Sequence, residues 1–169
     1  MDIISIISWF SSWSASLVET FGYFGVFVVA FIGAATIFLP LPAFLIIFAF
    51  GAILNPWIVG FIAALGSTIG ELSGYGLGLL TKKAVEKKHE KWLKKAKEWM
   101  EKYKAFFVII FFAATPLPDD VLGILFGTVK YDLKKFLIAT FIGKLILNLA
   151  LALGGYYGIR WVLTFFGGG

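Results

Sequence analysis

The chain has 169 residues, 60% of them hydrophobic, no Cys and a formal net charge of +5. A soluble domain carries about 45–50% apolar residues, so this composition points to an integral membrane protein and excludes disulfide staples and thiol catalysis. The positive charge is not a nucleic-acid footprint: residues 82–104 hold ten Lys and four Glu, a local +6, while the remainder is close to neutral, which is the usual pattern of a cytoplasmic loop beside apolar spans.

The length suits a single membrane domain over residues 1–169. Its N-terminus lacks the basic start and small-residue cleavage site of a signal peptide, so it is expected to be retained. Residues 3–18 are apolar with Ser5, Ser8, Ser12 and Ser16 at helical spacing. Sixteen residues rise about 24 Å, short of the roughly 30 Å hydrocarbon core. An interfacial or steeply embedded helix over about 1–20 is therefore expected rather than a full span, ended by Glu19 and Thr20. Residues 21–39 form an apolar helix that breaks at Pro40-Leu41-Pro42, and a shorter apolar helix follows to residue 53, ended by Asn55-Pro56. That second arm, about 17 Å long, is too short to cross. Residues 57–80 are a full span, with Gly60, Gly66, Gly70, Gly74 and Gly78 mostly four apart, a face on which another helix can pack closely. Residues 82–104 read as an amphipathic helix with Lys87, Lys91, Lys94 and Lys95 on its charged face, a headgroup-binding surface for anionic lipid.

The break then recurs. Pro116-Leu117-Pro118 opens a second apolar run ending at Phe126-Gly127, as Pro40-Leu41-Pro42 opens one ending at Phe50-Gly51, without a gap at an offset of 76 residues. Ala34-Ala35-Thr36 and Ala113-Ala114-Thr115 precede the two copies. Residues 105–117 and 121–129 make the second pair of short arms, and residues 136–153 a second span punctuated by Gly154 to Gly158. If residues 105–129 crossed the bilayer, the basic helix and the cluster Lys130, Lys134, Lys135 would lie on opposite sides; a hairpin keeps both cytoplasmic. The expected fold class is thus an all-α integral membrane protein, multi-pass in the cytoplasmic membrane. It is an inverted-topology repeat of re-entrant helical hairpin plus transmembrane helix (21–80 and 105–160), with a cytoplasmic amphipathic helix (81–104) between the repeats. Such repeats place a site near the midplane, where the interrupted segments meet.

Ionisable groups at lipid level are few: Glu71, Asp119, Asp120 and Lys144. Each is costly in hydrocarbon unless paired or hydrated. Asp119 and Asp120 stand at the tip of the second hairpin, where they either line a polar cavity or cap a helix start. As adjacent carboxylates they repel, which raises one pKa and favours proton uptake. Glu71 and Lys144 lie on the equivalent spans as a candidate ion pair, structural or part of a transport path, with Asn148 one turn beyond Lys144. The hairpin tips are Pro40, Pro42, Pro116 and Pro118. His89 is the one His, and no Cys/His cluster suggests a metal; no phosphate-cradling Gly-rich loop and no nucleophile with its base is present. No cofactor, metal or nucleic-acid partner is expected, and the chain is not expected to be an enzyme.

The spacing of these features resembles the DedA family, also called the VTT-domain or SNARE-associated Golgi protein family. Pro40-Leu41-Pro42 followed by Gly51 looks like its first Pro-x-Pro stretch. Gly70-Glu71-Leu72-Ser73-Gly74-Tyr75-Gly76-Leu77-Gly78 is similar to its Gly-acidic-x-x-x-Tyr-x-x-Gly element. Thr115-Pro116 sits where the family has an Arg-Phe-x-Pro-x-x-Arg motif, and Phe136, Gly143 and Gly154 to Gly158 match its last Gly-rich span. The resemblance covers about residues 20–160. It implies two opposed re-entrant hairpins and movement of phospholipid or polyprenyl-phosphate lipid between leaflets, with dependence on the proton motive force. Two departures stand out. The motif Arg positions fall on Ala113 and Asp119, and Ala34, Ala35, Ala43 and Phe44 occupy the region of the family's acidic residues. Lipid translocation is the expected function, with membrane lipids as partners and homo-oligomerisation open. The alternatives are a secondary transporter for a small solute, cation or proton using Asp119 and Asp120, and a non-transporting membrane scaffold.

Overall fold

The structure is a computed structural model that describes residues 3–36, 40–81, 91, 94–95, 98, 104–116 and 120–165; residues 3–7, 10–11, 40–42, 120 and 159–165 are described by their backbone alone. Among the described residues every regular element is a helix. In chain order they are α1 (Ile3–Phe21), α2 (Tyr23–Ala35), α3 (Pro40–Ile53), α4 (Pro56–Thr81), α5 (Ala105–Ala113), α6 (Asp120–Thr128) and α7 (Leu133–Phe165). Lys91, Lys94, Lys95 and Glu98 are also helical and exposed.

Among the described residues two helices are long and apolar enough to cross a membrane, Pro56–Thr81 and Leu133–Gly158, each of 26 residues or about 39 Å. The local chemistry explains their ends. The Asn55 side chain accepts from the N–H groups of Trp57 and Ile58, and Pro56 takes the first helical position, where its missing N–H costs nothing. Asp132 accepts from the Lys135 N–H and caps α7 in the same way. Two expected boundaries are corrected. Glu19 and Thr20 do not end α1; the helix runs to Phe21, where Gly22 turns the chain straight into α2 at a φ of 56° that a side chain would resist. Nor does the glycine run 154–158, which closes the membrane-length segment Leu133–Gly158, end the helix, which continues to Phe165. There Gly155 lies directly against the Phe48 carbonyl of α3, so the residue that looks like a breaker serves a close approach.

The four short arms are arranged about the two long helices from opposite ends. Tyr23, at the start of α2, accepts a hydrogen bond through its hydroxyl from the Asn55 N–H, at the end of α3 and the beginning of α4. The feet of α2 and α3 are thus both beside the N-terminal end of α4. At the other end of α4, Thr128 closes α6 by donating to Gly78 O at 3.2 Å, and its hydroxyl lies 3.3 Å from that of Thr81. Ala105 at the start of α5 is buried in the same cluster as Tyr75, Phe126, Val129 and Phe136. Tyr75 reaches across to donate its hydroxyl to the Tyr131 carbonyl.

α3 and α6 are each seated on a long helix through glycine. Gly51 of α3 lies on the Ala152 backbone of α7, and Gly155 of α7 lies on Phe48 of α3. Gly127 of α6 lies on the Tyr75 backbone of α4, and Gly78 of α4 lies on Ile124 of α6. Two hydrophobic clusters result. One joins α1, α2, α3, the first half of α4 and Ala152; the other joins Tyr75, α5, α6 and the first turns of α7. Between them α4 and α7 cross with polar side chains.

Candidate functional site

Small residues on α4, among them Gly60, Ala63, Ala64, Gly66 and Gly70, are all buried: Gly66 and Gly70 meet α2, and Gly60 lies at the crossing of α4 and α7. Without side-chain bulk the two helices come close: a Cβ on Gly60 would lie 2.9 Å from the Leu149 Cα. Where the stripe passes the gap between the clusters, Ser67, Thr68, Glu71, Thr140, Lys144 and Asn148 are buried instead. Glu71 is 2% and Lys144 4% exposed. The Lys144 Nζ stands 2.9 Å from Glu71 Oε1. Asn148 Nδ2 donates to Ser67 Oγ at 3.3 Å and to the Lys144 carbonyl at 2.7 Å.

Counting from the ends of the spans, Glu71 lies 15 residues into α4 and Lys144 11 residues into α7, about 22 and 17 Å along their helices. Both are near the middle of helices long enough to cross a hydrocarbon core about 30 Å thick. A charge there is tolerated when paired, and breaking a buried pair is costly because it strands the partner. The remaining polar groups are unevenly satisfied. Ser67 and Thr68 donate to the carbonyls of Ala63 and Ala64 one turn back. Asn148 Oδ1 and Thr140 Oγ1, by contrast, are buried and have no hydrogen-bond partner. Leaving such an atom unpaired costs about 1–3 kcal/mol.

The ends of the first arms arrive at this level. Gly70, next to Glu71, receives α2: a Cβ there would sit 2.9 Å from Ala34 Cβ and 3.1 Å from Ala35 N. Ser73 donates to Gly70 O at 2.9 Å and to Ala35 O at 3.4 Å. Gly143, next to Lys144, receives α5, with a Cβ falling 2.6 Å from Ala113 Cβ. The threonines of the two Ala-Ala-Thr segments turn back on their own helices, Thr36 donating to Ile32 O at 2.7 Å and Thr115 to Phe112 O at 2.8 Å. Each hydroxyl is thereby satisfied within its own last helical turn, and Phe112 O also accepts the Thr115 N–H at 3.0 Å.

The structure therefore brings Glu71, Lys144 and Asn148 together. Pro40 and Pro42 fall in the first turn of α3, and Pro116 is exposed in the turn after α5. Pro118, Asp119 and Lys87 lie outside the described residues, as does the Asp120 side chain, although its backbone opens α6. Lys91, Lys94 and Lys95 are exposed. Sequence reasoning missed Ser67 and Thr140. Ser67 precedes Glu71 by four residues and Thr140 precedes Lys144 by four, so helical spacing alone places them on the same faces as the charged pair.

Comparison with known proteins adds an independent line. The family model described as the VTT domain matches residues 41–157. The chain is 33% identical over 165 residues to an "Alkaline phosphatase-like protein" of Lactococcus lactis, covering 86% of this chain and 75% of that protein. It is 31% identical over 144 residues to an uncharacterised protein of Methanocaldococcus jannaschii, covering 81% and 86% of the two chains. It is 24% identical over 143 residues to the "Inner membrane protein YqaA" of Escherichia coli, covering 85% of this chain and 97% of that protein. No solved structure matches.

Proposed function

Since the chain belongs to the VTT-domain family, the DedA family of membrane proteins, we propose that it moves a phospholipid or polyprenyl-phosphate lipid between the leaflets of the cytoplasmic membrane. In this reading α2–α3 and α5–α6 are re-entrant hairpins that enter from opposite faces, and each forms with α4 or α7 one half of an inverted repeat. The printed location of the Escherichia coli relative agrees with the cytoplasmic membrane.

The observation that carries the reading is the meeting of both chain breaks at one buried pair. Ala34 and Ala35 close on Gly70 beside Glu71, and Ala113 closes on Gly143 beside Lys144. Two interrupted segments and a polar crossing at mid-depth are what an inverted-repeat transporter places at its site. The numbering supports the two-fold relation. An offset of 77 takes Tyr75 to Ala152 and Gly78 to Gly155; the offset of 76 takes Phe48 to Ile124 and Gly51 to Gly127. Under these shifts the Gly51–Ala152 and Phe48–Gly155 approaches become Gly127–Tyr75 and Ile124–Gly78. The same shift of 77 takes Ser67 to Lys144 and Glu71 to Asn148, so the Asn148–Ser67 hydrogen bond and the Glu71–Lys144 ion pair exchange places.

Translocation uses this crossing as a polar step. A lipid headgroup slides along the hairpin tips past Glu71, Lys144 and Asn148 while its acyl tails remain in hydrocarbon. The pair opens to receive the headgroup and closes behind it, so neither charge faces the apolar clusters alone. Pro40, Pro42 and Pro116 hold the tips open at that depth, and the exposed Lys91, Lys94 and Lys95 gather anionic headgroups at the cytoplasmic surface.

The test is reconstitution into vesicles with fluorescent lipids. Bleaching of the outer leaflet should spread to the inner-leaflet pool when the protein is present. Replacing Pro42 and Pro118 should slow that exchange; exchange at the unaltered rate would reject the hairpin path. The same vesicles, given a soluble phosphate ester, test the activity suggested by the name of the Lactococcus relatives, and no phosphate release is expected.

A further inference from the structure

We infer that the outer groove between α5 and α7 holds one anionic phospholipid as a resident ligand that is not itself transported. Its phosphate lies against Lys104 and Lys135, and its acyl chains lie along the exposed Phe and Ile side chains beyond them. The groove is on the surface of the second half, away from the buried pair, and binding there requires no translocation.

The apolar part comes from two helices that run side by side. Ala105 and Ile109 of α5 are buried with Phe136 and Ala139 of α7, and a Cβ on Gly143 would meet Ala113 Cβ and Ile110 O. α5 and α7 are therefore parallel and in contact over this stretch. Counted at about 3.6 residues per turn, Phe107 and Phe111 on α5 and Ile138, Ile142 and Ile146 on α7 flank one side of that contact, and all five are exposed. Lys135 lies eight residues before Gly143 and Lys104 nine before Ala113, about 12 and 14 Å back along the helices. Both lysines thus stand at the foot of the groove, at one level, and both are exposed. Among the described residues neither is in an ion pair, and the neighbouring acid, Asp132, accepts through Oδ1 from the Lys135 N–H.

The placement of these cations points to a ligand, because local preference opposes them. Lys104 is at φ 50°, a left-handed backbone that favours glycine, and Lys130, at φ 55°, is the other described non-glycine residue in that region. Lys130 fills the position that glycine usually takes at a helix end: its N–H donates to Gly127 O at 3.0 Å and the Tyr131 N–H to Phe126 O at 2.9 Å. Lys134 and Lys135 occupy the first turn of α7, where the helix dipole disfavours a positive charge. A positive-inside bias places lysines anywhere in a loop and does not select these positions. A bound anion offsets the local penalties. The anion is a lipid because the cations lie at one end of a two-sided apolar groove, in the order of headgroup and tails. Its headgroup is net negative because a zwitterion would bring its own ammonium among four lysines.

The test uses the full chain in detergent, with thermal unfolding followed by tryptophan fluorescence while lipid is titrated in. Phosphatidylglycerol should raise the midpoint saturably, and phosphatidylcholine with the same acyl chains should need at least about tenfold more lipid for the same rise, the loss of one or two lysine–headgroup attractions. Glycerol 3-phosphate, which has the charge without the tails, should leave the midpoint unchanged. Lys104→Gly with Lys135→Gln should melt at or above the wild type without lipid, since each change relieves a local penalty. Its half-saturating phosphatidylglycerol concentration should rise about 25-fold, a factor of about five for each lysine beside an anionic headgroup. Equal response to the two lipids, a response to glycerol 3-phosphate, or a wild-type response in the double variant would each overturn the site. A double variant melting well below the wild type without lipid would also overturn it, because the lysines would then be structural. These readouts do not involve lipid exchange, so failure of this site and failure of translocation are told apart.

Discussion

Gly127 offers a direct measure of how tightly α6 is seated on α4. Gly127→Ala adds a Cβ that would lie 2.9 Å from the Tyr75 carbonyl carbon and 3.1 Å from the Gly78 Cα, with the Tyr75 oxygen nearer still. Carbon atoms rest at about 3.5–4.0 Å, so the helices must part by roughly 0.5–1 Å, and these neighbours are backbone, which cannot rotate away. Overpacking of this kind costs about 1–3 kcal/mol. For a chain of this size 1 kcal/mol moves the unfolding midpoint by about 2–4 °C, so a fall of roughly 2–12 °C is expected. Gly76→Ala is the control: it is helical, with nothing within 4 Å of its added Cβ, and should gain about 0.5–1 kcal/mol from helix propensity alone. Thermal unfolding in detergent, followed by tryptophan fluorescence, reads both variants. Gly51→Ala, which meets the Ala152 Cα at 2.5 Å, should behave as Gly127→Ala does. If Gly127→Ala melted at or above the wild type, the close seating of α6 on Tyr75 and Gly78 would be refuted.

The buried pair makes a second test. Lys144→Met alone should cost about 3–5 kcal/mol by stranding Glu71, whereas the double change with Glu71→Gln should be near neutral; a thermal double-mutant cycle reporting additive effects would show that the two side chains do not interact. Tyr75→Phe removes the hydroxyl that holds the Tyr131 carbonyl and should lower stability by about 1 kcal/mol, with faster hydrogen exchange at the loop before α7; unchanged exchange there would count against the contact. The chain has no Cys, so single cysteines can be placed at Lys91, Lys134 and Trp57 and labelled with an impermeant maleimide in oriented vesicles. Lys91 and Lys134 should react from one side and Trp57 from the other, and reaction of Lys91 and Lys134 from different sides would remove the hairpin topology.

Much of this architecture is legible in the chain before any coordinates. The Pro-Leu-Pro duplication marks both breaks because proline cannot continue a helix hydrogen-bond ladder, and isolated charges in apolar helices draw attention to Glu71 and Lys144 because lipid does not tolerate them singly. The boundaries were harder where glycine carries two meanings. Gly154 to Gly158 has the composition of a stop, yet Gly155 is helical because Phe48 needs its surface. Glu19 and Thr20 look like terminators, but the turn waits for Gly22, where the backbone goes left-handed. Ser67 and Thr68 hide in sequence because they hydrogen-bond within their own helix and leave no local anomaly. The pairing of α3 with α7 and of α6 with α4 involves residues about a hundred and about fifty positions apart respectively, and no local propensity encodes such distance. The unpartnered Asn148 Oδ1 is likewise a property of the assembled crossing and not of any stretch of chain.

The seating of α3 on α7 and of α6 on α4 bears on how the protein is made. When the ribosome has released α3, the surface that Gly51 is shaped to meet has not yet been synthesised, because Ala152 lies about a hundred residues downstream. The nascent first half must wait in the bilayer, or in the care of an insertase, with one flank bare until α7 is delivered. Neither half is then a self-sufficient unit. Co-expression of two fragments cut between residues 81 and 104 should yield a stable product only when both are present, and each alone should be cleared by membrane proteases.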